Sequence, residues 1–194
     1  IRLGLTGFGH PGNYFERQYA RWNKAFQLSL PDAIPSFTQL SAWLATHLPK
    51  GGRTCLIHGD YRLDNMIFDP ESSAIAALLD WELSTLGDPL SDLGYFLGVL
   101  NTPSDFVFPG FLNFDRTCIG IPSEEELLER YCEQTNRKSI DNWPFYKAFG
   151  FFRLSAICAG IQARVIQGNA VDETSQLFGS LTGKIAELGL KQLE

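Results

Sequence analysis

The stretch from Trp143 to Gly168 constrains this chain more than any other. It carries one apolar stripe at Phe145, Phe149, Phe152, Ala156, Ala159, Ala163 and Ile166, and a second at Phe151, Leu154, Cys158, Ile161 and Val165. Spacings of three and four residues make it a helix, and two stripes leave it apolar nearly all round. Such a helix either crosses a membrane or is enclosed by other elements. Lys147 and Arg153 interrupt the apolar run, which argues against a membrane span and predicts a central, buried helix.

The rest of the chain supplies elements to enclose it. Phe15, Tyr19, Trp22 and Phe26 predict a helix from Tyr14 to about Leu28, after an irregular opening from Ile1 to Asn13. Pro31 and Pro35 break the chain, and a second helix is expected from Ser36, as its cap, to Leu48, with Phe37, Leu40, Leu44 and Leu48 on one face. Asp88-Pro89 reads as a cap and first-turn proline before Leu90, Leu93 and Leu97. A loop-like aromatic segment, Thr102 to Gly120, comes next. Ser123 with Glu126 forms a capping box ahead of Leu127, Leu128 and Tyr131, and a last helix is expected from Asp172 to Leu190. Between the second and third helices the texture is β-like. Thr54–Ile57 is a short β-prone run, and Met66–Phe68 and Ile75–Leu79 read as a hairpin joined by Asp69-Pro70-Glu71-Ser72-Ser73. The fold class is therefore α+β and mostly α.

Composition narrows the partners. With 44% hydrophobic and 20% charged residues the 194-residue chain can bury a sizeable core as one domain. Its net charge of −6, without a basic run, argues against nucleic acid. Four scattered cysteines, Cys55, Cys118, Cys132 and Cys158, form no CxxC pair, which disfavours a disulfide framework or a zinc site and fits reduced thiols. The expected location is the cytoplasm, with no membrane partner.

Chemistry is concentrated between positions 58 and 93. His58-Gly59-Asp60-Tyr61-Arg62-Leu63-Asp64-Asn65 has the His-x-Asp-x-x-x-x-Asn spacing of a kinase catalytic loop. Asp80 follows Asn65 by 15 residues, at the end of an apolar strand. Phosphoryl transfer needs a carboxylate for the accepting hydroxyl and oxygen ligands that hold magnesium against the phosphates. A hairpin brings Asn65 and Asp80 side by side at its open end, within reach of one magnesium ion, with Asp60 one short loop away. Glu82 stays open: a metal ligand, a substrate contact or the partner of a nearby base. Arg62 contacts phosphate, pairs with Asp64 or is a solvated surface residue.

HGDYRLDN at 58–65, LLDWELSTLGDPLSDL at 78–93 and the FFRLSAICAGIQAR helix with Gly168-Asn169-Ala170 after it resemble the aminoglycoside phosphotransferase and choline kinase superfamily. The resemblance is strongest to the phosphotransferase domain found alone in bacteria and fused to some acyl-CoA dehydrogenases in animals, and it covers most of the chain. It implies an ATP- and magnesium-dependent transfer to a hydroxyl of a small molecule. Asp60 would be the catalytic base, Asn65 and Asp80 the magnesium ligands, and Arg62 the cation that steadies the transferring phosphoryl group. His58 and Asp92 would be structural supports. The acceptor stays open among hydroxy-acyl compounds, aminoglycosides and amino alcohols, with the aromatic Phe106–Phe114 loop and the later helices forming its pocket.

By the same resemblance residues 1–194 form a protein-kinase-like C-terminal lobe, and the ATP-gripping N-terminal lobe is missing. Gly4, Gly7 and Gly9 stand in the wrong order for a phosphate loop, and no Val-Ala-x-Lys strand follows. The chain alone is expected to be inactive, and the apolar surface facing the missing lobe to favour self-association. Two rival readings are a pseudokinase-like binding module and a hydrolase using Asp60, Asp80 and Glu82; intact Asp60, Asn65 and Asp80 argue against the first, and Asn65, idle in a hydrolase, against the second.

Overall fold

The computed structural model describes residues 7–30, 32–72, 74–170 and 172–193; Gly4, Pro31 and Ser73, used above, lie outside them. The apolar stretch forms α5 (Trp143–Ile166), and α1 (Tyr14–Ser29), α2 (Pro35–Thr46), α3 (Leu90–Leu100), α6 (Glu173–Ser180) and α7 (Thr182–Lys191) pack against it. By length and composition α5 is apolar enough to cross a membrane, yet half of its most apolar window is buried inside the protein. Phe145, Phe149 and Phe152 of α5 meet Phe15, Tyr19 and Phe37 at ring separations of 5.0–5.5 Å. Fully burying such rings contributes about 1.5–3 kcal/mol each, which is why the aromatic stripe fixes the layout. The last turns of α5 run past the core, and Ile166 is exposed.

Two expectations are corrected here. Ser36 does not cap α2: the helix starts one residue earlier on Pro35, and Ser36 Oγ donates instead to the Gly183 carbonyl at 3.0 Å. The single final helix is two, α6 and α7, joined at Leu181. Carbonyls at the start of α7 bond to other helices, that of Thr182 accepting from Ser155 Oγ at 2.7 Å and that of Gly183 from Ser36 Oγ. The capping box of α4 (Glu124–Thr135) forms as expected, with Ser123 Oγ accepting from the Glu126 amide and Glu126 from the Ser123 amide.

The β structure is two antiparallel pairs. β2 (Met66–Phe68) pairs with β3 (Ile75–Leu78), Met66 opposite Leu78. β1 (Cys55–Ile57) pairs with β4 (Thr85–Gly87), a segment without a β signal of its own. Asp88, between β4 and α3, accepts the Leu90 amide on Oδ1 at 2.9 Å and thereby starts α3. α3 crosses α5 at backbone contact, because a Cβ on Gly94 would lie 2.5 Å from the Tyr146 carbonyl and one on Gly150 3.1 Å from Tyr95 Cα. That close crossing brings α3 against the 58–65 loop.

Candidate active site

The loop between β1 and β2 is held from two sides. On one side Asp92 of α3 accepts the amide of His58 on Oδ2 at 2.7 Å and that of Gly59 on Oδ1 at 3.0 Å. Burial pushes the Asp92 carboxyl above the ordinary range, while the two amides, Arg153 and His58 pull it back only in part. On the other side, His58 links the loop to the second hairpin. Its Nδ1 accepts the Asp60 amide at 3.3 Å, so its proton sits on Nε2, which donates to the Leu79 carbonyl at 2.7 Å. The His58 ring is 3% exposed and lies 4.7 Å from that of Trp81. Gly59 adopts φ +87°, and a Cβ there would come within 2.4 Å of the Leu83 carbonyl. Only glycine fits both that backbone and that contact.

Within the loop, Asn65 turns back on Asp60. Its Nδ2 donates to the Asp60 main-chain carbonyl at 2.8 Å and to Asp60 Oδ2 at 2.9 Å. Those two bonds orient the amide and leave Oδ1 as its acceptor atom. The Leu79 amide donates to the Asn65 carbonyl at 2.9 Å, so Asn65 and Asp80 flank the open end of the β2–β3 hairpin. Asp80 is exposed and adopts the left-handed φ 63°, ψ 55°, a conformation that Asp tolerates better than most residues and that turns the chain away from the strand. Among the described residues no group of three or more His, Cys, Asp or Glu side chains is arranged for a metal ion. A cation here would have Asn65 Oδ1 and Asp80 as its protein ligands. That sparse oxygen set fits magnesium, which takes one or two carboxylates and completes its shell with phosphate oxygens and water.

Arg62 is already engaged. Its Nη1 lies 3.1 Å from Asp64 Oδ2, its Nε 3.5 Å from Asp60 Oδ2 without a hydrogen bond, and its Cζ 5.4 Å from the Phe108 ring centre. Contact with a phosphate would require it to exchange Asp64 for the new anion. Glu82 lines a cavity of about 260 Å³ together with Gly59 of the loop, residues of α1 and Arg153.

Sequence reasoning passed over Tyr95 of α3, which is 4% exposed and whose phenol burial pushes up to about 12. Arg153 of α5 stacks over the Tyr95 ring with Cζ 4.9 Å from its centre, while its buried Nε has no hydrogen-bond partner. A signal was present: Asp92 and Tyr95 stand three apart on one helix and so share a face.

A mostly helical α+β fold with this loop and hairpin defines a phosphotransferase of the aminoglycoside phosphotransferase type. The chain belongs to the phosphotransferase enzyme family (APH), whose sequence pattern matches residues 2–149. It is 45% identical over 185 residues to acyl-CoA dehydrogenase family member 10 of Mus musculus, covering 95% of this chain and 17% of that protein. It is 39% identical over 191 residues to acyl-CoA dehydrogenase family member 11 of Homo sapiens, covering 97% and 24%. The chain thus spans a quarter or less of these curated relatives. A crystal structure described as an aminoglycoside phosphotransferase of Ralstonia eutropha superposes with a TM-score of 0.92 at 39% identity, over 98% of this chain and 58% of that one.

Proposed function

We propose that this chain is the C-terminal, kinase-like lobe of a cytoplasmic, ATP-dependent phosphotransferase that acts on a hydroxyl of a small molecule. The observation that carries this reading is the Asn65 amide, which spends its donors on Asp60 and so presents an acceptor oxygen beside the open hairpin end where Asp80 stands. Asp60 orients the accepting hydroxyl and takes its proton. Asn65 and Asp80 would hold magnesium, which would supply neutralisation of the phosphate charge. Arg62 swings from Asp64 to the phosphoryl group. A preceding lobe of the same protein grips the nucleotide. The acceptor is a hydroxy-acyl compound, an aminoglycoside or an amino alcohol, classes suggested by the relatives' names and the family resemblance.

The test uses the complete protein that carries this chain, screened for ATP consumption against hydroxylated acids, acyl-CoAs, aminoglycosides and amino alcohols. Asp60→Asn should lower turnover on the active acceptor by on the order of 10²-fold or more, with ATP affinity retained. Near-normal turnover in that variant would overturn the assignment.

A further inference from the structure

We infer that the cavity between α1, α5 and residues 82–85 binds the acceptor and takes a hydroxyl compound that carries an anionic group. Its acceptor role rests on the phosphotransferase reading above, and its preference for an anion on the cavity alone. The cavity holds about 260 Å³ and has Gly59 in its wall, so a molecule seated there meets the 58–65 loop one residue before Asp60. No residue of the aromatic 106–114 segment lines it, which moves the acceptor from that loop to the α1–α5 side. Drug-sized ligands occupy ~300–1,000 Å³. The smaller volume suits a compact molecule, or the hydroxylated end of a longer one, rather than a whole multi-ring aminoglycoside.

The charges around the cavity select its ligand. Arg21 and Arg153 line it against one carboxylate, Glu82, although the whole chain carries a net charge of −6. Neither arginine forms an ion pair with a described residue. Each stands over an aromatic ring instead, Arg21 Cζ 5.0 Å from the centre of Trp22 and Arg153 Cζ 4.9 Å from that of Tyr95. The nearby Asp92 does not neutralise Arg153 by pairing, because both of its oxygens are committed to the His58 and Gly59 amides. Two donors of the lining residues, Trp22 Nε1 and Arg153 Nε, are buried without a hydrogen-bond partner. A buried donor left unpaired is costly, so these fit a wall that an acceptor group on a ligand completes. A cationic amino alcohol or aminoglycoside would be repelled by the two guanidiniums. A carboxylate or phosphate would gain charge-assisted, bidentate bonds from them.

Ligand-observed NMR on the complete protein, without nucleotide, tests this with hydroxyl compounds of similar size and different charge: 3-hydroxybutyrate, its neutral amide and choline. The acid should bind at least about 10-fold more tightly than either, the margin of one charge-assisted contact. A second pair, the CoA and pantetheine thioesters of the same acid, tells a phosphate from a carboxylate, since the anion that outbinds its neutral counterpart is the one the cavity reads. Arg153→Met should remove the margin. Arg21→Met, at an exposed position, should reduce it about threefold, and its ratio decides should Arg153→Met not fold. If neither anion outbinds its neutral counterpart, or if the margin survives the arginine variants, the inference is overturned. With no ATP present, an arginine-dependent margin stands even if the protein transfers no phosphate; the cavity is then an anion site and only its acceptor role falls. Where phosphate is transferred, a higher kcat/KM for the amide or choline than for both anions would also overturn the inference.

Discussion

Asp92 Oδ2 accepts the backbone amide of His58 at 2.7 Å, joining α3 to the 58–65 loop across 34 residues of sequence. Its other oxygen takes the Gly59 amide, so one side chain satisfies two consecutive loop amides. Burial nevertheless outweighs these bonds, since the carboxyl is shifted up rather than down. The ionised side chain is therefore costly in itself, and its value lies in the two amides it occupies. Asp92→Asn tests the balance: an amide offers one acceptor and turns a donor toward the other N–H. The expected loss is about 1–3 kcal/mol of unfolding free energy, the cost of one unsatisfied buried donor. Denaturant unfolding of wild type and variant measures it, and a variant as stable as wild type would mean that loop geometry does not depend on Asp92.

How much of this was legible in the sequence follows from distance along the chain. Asn65 and Asp80 flank one hairpin with a short turn, so their juxtaposition follows from local pairing, and the Ser123–Glu126 capping box spans a single turn. Asp92 meets the His58 and Gly59 amides from a helix that glycines let lie against α5, a three-dimensional fact that no local pattern carries. The same holds for the pairing of Cys55–Ile57 with Thr85–Gly87, and for Ser36, drawn from its expected cap toward Gly183. The break at Leu181 lacks a Gly or Pro signal at that position; Ser180 Oγ and Thr182 Oγ1 donate there to the carbonyls of Leu177 and Gly179.

Glu124 ties α4 to α3 and α5. Its Oε1 accepts from Lys147 Nζ at 2.8 Å and Trp143 Nε1 at 2.7 Å, and its Oε2 from Asn101 Nδ2. Burial alone would raise its carboxyl, but Lys147, Trp143 and Asn101 together carry it below the ordinary glutamate range. A depressed carboxyl contributes stability that is complete above the unfolded value and is lost as pH falls through the folded one. Glu124→Gln should therefore cost about 2 kcal/mol near pH 7, where hydrogen bonds to the charged group are intact. That deficit should shrink as pH drops below the usual glutamate range. Melting temperatures of both proteins across pH 3–7 check this, and a deficit that stays constant with pH would mean that the charge of Glu124 contributes nothing.

The last prediction concerns the nucleotide. Leu56, Ile67, Phe68, Ile75, Leu79, Trp81 and Leu83, all on or beside the two β pairs, are each 44–48% exposed. That concentration of apolar side chains spreads over both β pairs, including the hairpin whose open end Asn65 and Asp80 flank, which suits a surface that another element covers when the site is complete. The superposed relative has 42% of its chain beyond the matched region, ample for such a cover. In the proposed reading Asp60, Asn65 and Asp80 supply the hydroxyl and metal sides of the reaction, whereas Lys24 and Lys50, on α1 and in an exposed loop, are in no position to act as the strand lysine that pairs with the phosphates. Residues 1–194 alone should therefore bind Mg-ATP at least about 10-fold more weakly than the complete protein, because positioning and water exclusion are both lost with one wall of the cleft. Titration calorimetry with Mg-ATP on the two proteins makes the comparison. Equal affinity would place the nucleotide wholly on this lobe, and the metal assignment to Asn65 and Asp80 would then have to be tested against that new pose.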